Sequence, residues 1–132
     1  YCRLGGVVSS PNFSPQGLDF SLTDDRAGIQ IFRNEGTTGY TVRPGDRIFA
    51  IGFLRQQNGL LQLDTDSIRV VSANNPLPTP LSITQPIDSL EYFPVAITRT
   101  RLRNAAQWTR LQGFHGFEAD LSDSPFRLFV NS

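Results

Sequence analysis

Apolar and polar residues alternate along most of this chain in short runs, and turn residues cut the runs apart. Leu18, Phe20 and Leu22 fall on one side, and Asp19, Ser21 and Thr23 on the other. That period of two predicts a half-buried strand. Gly28–Asn34 alternates again, with Ile29 and Ile31 inward and Gln30 and Phe32 outward. Asp24–Gly28 makes a turn between them, so Leu18–Asn34 predicts a hairpin. From Arg47 to Leu54 both sides are apolar: Ile48, Ala50, Gly52 and Leu54 on one, Phe49, Ile51 and Phe53 on the other. Such a strand is covered on both faces, and the C-terminal half is the natural cover for the second. Pro44-Gly45-Asp46 punctuates its start, and Gln57-Asn58-Gly59 gives an Asn-Gly hairpin signal after it. Leu60–Leu63 then returns as a strand, Asp64-Thr65-Asp66 reads as a turn, and Ile68–Val71 as a further strand. Upstream, Cys2–Ser10 reads as a strand that bends at its two glycines, followed by a Pro11–Gly17 loop. Glu35–Gly39 is too short and too rich in Gly and Thr for a helix. These elements together predict a small all-β barrel.

Ser72–Pro80 holds three prolines and two asparagines and reads as a linker. It divides the chain into a barrel at 1–78 and a smaller unit at 79–132. In the second part, Leu81–Leu90 has room for one short helical turn, and Phe93–Arg103 reads as a strand. Asn104–Gly113, with the lone Trp108, is a loop or a short helix. His115–Asp123 and Pro125–Ser132 predict another hairpin. Leu18–Asn34 aligns with Phe117–Asn131, with Leu22 beside Leu121, Asp24 beside Asp123 and Asn34 beside Asn131. The chain therefore reads as five strands followed by the first three of a second, similar set.

Charge narrows the chemistry. Twelve acidic and twelve basic residues leave no net charge, which argues against non-specific capture of a polyanion. Every cation is arginine, through compositional bias or for bidentate and stacking contacts. Cys2 is the sole cysteine, which excludes an intrachain disulfide and a cysteine-built zinc site. No run approaches the ~20 apolar residues of a membrane helix. The chain opens in strand-like sequence without an initiator Met or a signal peptide, as a mature or excised piece of a longer protein would.

Gly6–Phe13, Leu18–Phe32, Val42–Leu63 and the Gln107-Trp108 pair resemble a bacterial family. It is the OB-fold module attached to secreted nucleases of the endonuclease/exonuclease/phosphatase class and to other cell-surface proteins. The resemblance covers residues 3–78 closely and 90–132 more loosely. It implies an all-β, five-stranded OB-type barrel followed by a partial second OB-like unit packed on it. It also implies an extracellular or envelope location, an accessory role beside other domains of a longer chain, and nucleic acid as the ligand. The family's helix between strands three and four is reduced to a loop here.

An OB barrel binds oligonucleotides or oligosaccharides across its second and third strands, between the loops joining strands 1–2 and 4–5. Those places hold Phe13 in the first loop, Phe32 outward on strand three, Arg26 and Arg33 flanking the hairpin, and Arg55, Gln56, Gln57 and Asn58 in the 4–5 loop. A base would stack on the aromatics, with arginine adding phosphate contacts. A sugar would use the same rings, with Gln and Asn reaching its hydroxyls. The alternatives are burial of Phe32 under the C-terminal half and a barrel-capping role for Phe13. Arg99, Arg101 and Arg103 share one face of the Phe93–Arg103 strand at ~7 Å spacing. They form either a phosphate track or a solvated ladder paired with Glu118 and Asp120. Asp24-Asp25 and Asp64-x-Asp66 are turn carboxylates rather than a calcium loop. His115 lacks evident catalytic partners, and Trp108 serves as an anchor of the second unit. No cofactor, metal or catalytic constellation is expected. The function expected is a non-catalytic binding module, against a structural spacer or a homodimer joined through an open strand edge.

Overall fold

The computed structural model describes residues 1–104, 106, 116–122 and 125–131. Gln107, Trp108, His115 and Asp123, with the expectations placed on them, lie outside the described residues. Among those described there is no α-helix; the chain is all-β.

Five strands form the first sheet: β1 (Cys2–Val8), β2 (Leu18–Thr23), β3 (Gly28–Arg33), β4 (Arg47–Gln57) and β5 (Leu60–Ser72). Their pairing is cyclic. β1 pairs β2, β2 pairs β3, β5 pairs β4 and β4 pairs β1, all antiparallel, while β3 and β5 run parallel. The sheet thus closes as a barrel. β1 spans both neighbours because it bends, pairing β4 through Cys2–Val7 and β2 through Val7 and Val8. Gly6 permits the bend, since a Cβ there would stand 2.6 Å from the Thr23 carbonyl oxygen. The inward positions of the alternating strands make the core. Leu18, Phe20, Ile31, Ile48 and Leu63 are each no more than 1% exposed.

No helix plugs the barrel between β3 and β4. Tyr40 fills that space instead, 7% exposed, with its ring 6.2 Å from Phe20. Its hydroxyl donates to Asp46 Oδ2 at 2.9 Å, and Asp46 is itself buried. Burial pushes the Tyr40 phenol up to about 12, and the Asp46 carboxylate adds to the shift, so it stays a donor. Around Asp46 the Pro-Gly-Asp turn ties three segments together. Gly45 sits at φ +91°, and its N–H donates to the Val8 carbonyl at 2.9 Å. The Asp46 carbonyl accepts from Val8 N–H at 2.8 Å. The Gly45 carbonyl accepts from both the backbone and the side-chain amide of Asn75, at 2.8 and 2.9 Å.

Two expectations need correction. First, Asp64-Thr65-Asp66 is no turn: β5 runs unbroken for 13 residues. The inward side passes from Leu63 and Thr65 to Ile68, because a bulge at Asp66 inserts one residue opposite the Ile51–Gly52 step. Thr65 Oγ1 lies 3.2 Å from the carbonyls of Ile51 and Ser67 and holds the bulge. Second, Phe93–Arg103 is not one strand. Val95–Ala96 (strand β7) and Arg101–Leu102 (strand β8) are separate two-residue strands. Arg99 between them takes φ +56°, which breaks the extended backbone. On the outer face of β4, the start of the chain makes two contacts. The Arg3 guanidinium lies 4.7 Å from the Phe49 ring centroid, and Tyr1 meets Phe53 edge-on at 4.7 Å. Phe53 still remains 50% exposed.

The Asn-Gly turn forms as expected, with Asn58 and Gly59 at φ +53° and +88°, the signature of a type I′ hairpin. The chain divides into two compact units: Tyr1–Pro80 with Ser89–Pro94, and Leu81–Asp88 with Val95–Ser132. In the second, Leu81–Ser82 (strand β6) pairs in parallel with β7. β8 joins Gly116–Ser122 (strand β9) and Arg127–Asn131 (strand β10) in a three-stranded sheet with β9 at its centre. Asp88–Leu90 makes a short helical turn of 3-10 type.

Two substitutions test these constraints. A Cβ on Gly52 would lie 1.9 Å from the Asp64 carbonyl oxygen, so Gly52→Ala is expected to destabilise the fold by roughly 1–3 kcal/mol. Tyr40→Phe leaves the buried Asp46 carboxylate without its phenol donor, and about 1–3 kcal/mol should be lost. Urea denaturation checks both, and unchanged midpoints would refute these roles.

Candidate ligand-binding face

Register across the barrel places outward side chains in two rows. Asp19 pairs with Phe32, Phe32 with Asp64, and Asp64 with Phe53. Beside that row, Ser21 pairs with Gln30, Gln30 with Gln62, and Gln62 with Arg55. The rows are stitched by hydrogen bonds. Gln30 Nε2 donates to Asp19 Oδ1 at 2.7 Å, and Gln62 Nε2 donates to Asp64 Oδ1 at 2.7 Å. The half-buried Phe32 ring therefore sits on a strand flanked by two carboxylates, each already oriented by an amide. Two inter-strand spacings separate the acids, roughly 10 Å.

Phe13 joins the end of the first row. Its N–H donates to the Asp19 carbonyl at 2.8 Å, and it is 51% exposed. Asn12 builds the loop that presents it. The Asn12 amide donates to the carbonyls of Ser14 and Gly17, and its oxygen accepts from the N–H of Ser14 and Asp19, at 2.8–3.3 Å. The loop backbone that carries this exposed ring is held in place before any ligand arrives.

The arginines are placed differently from expectation. Arg55 Nε contacts Asp64 Oδ2 at 2.6 Å. Arg33 is turned to the sheet end, donating to the carbonyls of Glu35 and Thr65, both at 2.9 Å, with Asp66 at 3.9 Å. β3 and β5 run parallel from neighbouring turns, so Arg26 shares the opposite end of the sheet from Phe13 with Gln57 and Asn58. The structure thus joins Phe13, Phe32 and Arg55 on one face. It sets Arg26, Gln57 and Asn58 apart from them. Arg99, Arg101 and Arg103 are exposed in the other unit. With the left-handed residue at Arg99, their shared face of one strand is lost. Asp120, their suggested partner, is held by Arg127 at 3.0 Å, and the Glu118 side chain lies outside the described set.

Sequence reading missed Asp19, Gln30, Asp64 and Tyr92. The first three were legible as the polar half of each alternating strand; their joining into rows depends on register. Tyr92 returns from 62 residues away, its hydroxyl donating to Gln30 Oε1 at 2.8 Å. Burial, then the charges of Asp19 and Glu91, raise its pKa. Asp24 is a turn carboxylate, as expected. Its Oδ1 accepts from the N–H of Arg26 and of Ala27, both at 2.8 Å.

Among the described residues no group of three or more His, Cys, Asp or Glu side chains could hold a metal ion. No helix among them is long and apolar enough to cross a membrane. Comparison with known proteins returns no matching family model, curated protein or solved structure.

Asp24 gives a pH test. Backbone donors from Arg26 and then Ala27 lower its pKa below the ordinary 3.8. A group depressed in the folded state stabilises above its unfolded pKa and loses that contribution as pH falls through the folded value. Asp24→Ala should therefore lower stability at pH 7, by about 1 kcal/mol. The difference from wild type should shrink below pH 3.8, as read by urea midpoints.

Proposed function

We propose that this chain is a non-catalytic binding module of the OB type, and that its outer face on β2, β3 and β5 takes an oligosaccharide. The cyclic strand order β1-β2-β3-β5-β4 supports the fold assignment, since an OB barrel is a five-stranded Greek-key barrel. In the second unit, β8, β9 and β10 pair in the order that β1, β2 and β3 do, which supports a partial second OB-like unit. An accessory place in a secreted or surface protein rests on the sequence resemblance.

One observation carries the ligand class: Phe32 stands between Asp19 and Asp64, with an amide fixing each acid. A sugar ring offers an apolar face of C–H groups to an aromatic ring and hydroxyls at its rim. Carboxylates on either side accept from those hydroxyls through strong, charge-assisted bonds. The roughly 10 Å between the acids spans one sugar ring and two hydrogen bonds. Phe13 and Phe53 continue the row, so a chain of sugars crosses the strands. Nucleic acid, which the resemblance implies, is less well served. Arg33 and Arg55 already serve internal acceptors, and the Asp19 carboxylate would face the phosphates.

Short oligosaccharides of glucose, xylose and N-acetylglucosamine, titrated calorimetrically beside oligothymidylate, test this. At least one sugar series should bind with little salt dependence, and Phe32→Ala should weaken it about tenfold or more, equivalent to ~1.4 kcal/mol. Asp19→Ala should weaken it as well. Oligothymidylate binding that falls steeply with salt, without sugar binding, would restore the nucleic-acid assignment. Silence toward both would favour a structural spacer.

A further inference from the structure

The Ser89–Pro94 segment belongs to the barrel unit although the residues on either side of it belong to the other. It lies on the start of β3. Its hold there has two parts. The Tyr92 hydroxyl donates to Gln30 Oε1 at 2.8 Å. The Tyr92 backbone also packs against Gly28, where a Cβ would stand 2.4 Å from the Tyr92 carbonyl carbon and oxygen. Gly28 does not adopt the left-handed backbone, so closeness rather than conformation is what its missing side chain provides.

Tyr92 itself takes φ +57°, a conformation a bulky side chain adopts only when its surroundings enforce it. The strain is of the same order as the net worth of one hydrogen bond and offsets part of what holds the segment down. The contact also consumes ligand-binding capacity. Gln30 sits in the second row, next to the Asp19–Phe32 pair. Its amide donates to Asp19, and its carbonyl oxygen is taken by a phenol that presents a ring and a hydroxyl, as a sugar would.

We propose that Ser89–Pro94 is a strap that occupies the Gln30 end of the sugar-binding face as a self-ligand and must lift for full occupancy. This rests on the oligosaccharide assignment above. The strap takes the Gln30 acceptor that a ligand would use, so occupancy of the barrel face and attachment of Ser89–Pro94 compete.

Two variants loosen the strap by different means in the full chain. Tyr92→Phe removes the hydroxyl and keeps the ring; Gly28→Ala places a methyl against the Tyr92 carbonyl. Both should raise amide hydrogen exchange within residues 89–94. Both should also tighten binding of the glucose, xylose or N-acetylglucosamine oligosaccharides, about three- to tenfold. Sugar added to wild type should raise exchange in the same segment. Wild-type binding that neither variant tightens, or that either weakens, would overturn the strap and leave the sugar assignment standing. Unchanged exchange in both variants would overturn it as well. If neither wild type nor opened variants bind any of the sugars, the oligosaccharide assignment fails and the strap's role falls with it.

Discussion

The hydrogen bond from Tyr40 to Asp46 is the constraint on which the barrel depends. It lies inside a closed sheet, where an unsatisfied carboxylate would be far more costly than the bond is stabilising. By fixing Asp46 it fixes Gly45, and Gly45 is where the end of β1, the start of β4 and the segment after β5 converge. Ring closure needs β4 to meet β1 on one side and β5 on the other, and that turn sets the point from which both pairings begin. A barrel lacking a helical plug has to close its lower end by another means. Here a single aromatic with a polar tip serves, because the ring satisfies the core and the hydroxyl satisfies the turn.

Once register is set, the ligand face follows with little further specification. Strand alternation sends every second residue outward, and the pairings bring those residues into lateral rows. Phe32 stands out by type, but nothing in the sequence sets Asp19 or Asp64 beside it, 13 and 32 residues away. Their adjacency is a product of two pairings at once, one antiparallel and one parallel. The same pairings give the nearby arginines internal partners. Arg55 lies diagonally across from Asp64 and is neutralised there, while Arg33, paired with Leu18 of β2, falls past the last β3–β5 pair and turns to the backbone of β5.

The strand inventory was largely legible from alternation and turn chemistry. β2, β3, the Asn58-Gly59 turn and the Asp24 turn lie where period and residue type put them. Two features were not. In Leu63–Val71 the apolar residues slip phase, from odd positions to even ones. A phase slip means either that the strand stops and restarts or that it carries an extra residue. Only the facing Gly52, close against the Asp64 carbonyl, decides for the bulge. In Phe93–Arg103 the alternation is real, yet a strand needs a partner along its length, and the described partners extend over two residues at each end. Site residues were partly legible for the same reason. The aromatics stand out by type, whereas the carboxylates beside them look like ordinary solvent-facing polar residues until neighbours are known.

The Asp66 bulge gives β5 two separate duties. Before it, the strand turns Asp64 outward; after it, the strand turns Ile68 inward, where a regular strand would have offered Ser67. The two halves are out of step by one residue, and that offset is held at a single crossing. An insertion or deletion between Leu63 and Ile68 would leave every residue of the chain chemically intact and still invert one half of the strand. The segment is thus far less tolerant of length change than of substitution, and homologous chains should preserve its spacing even where its composition drifts.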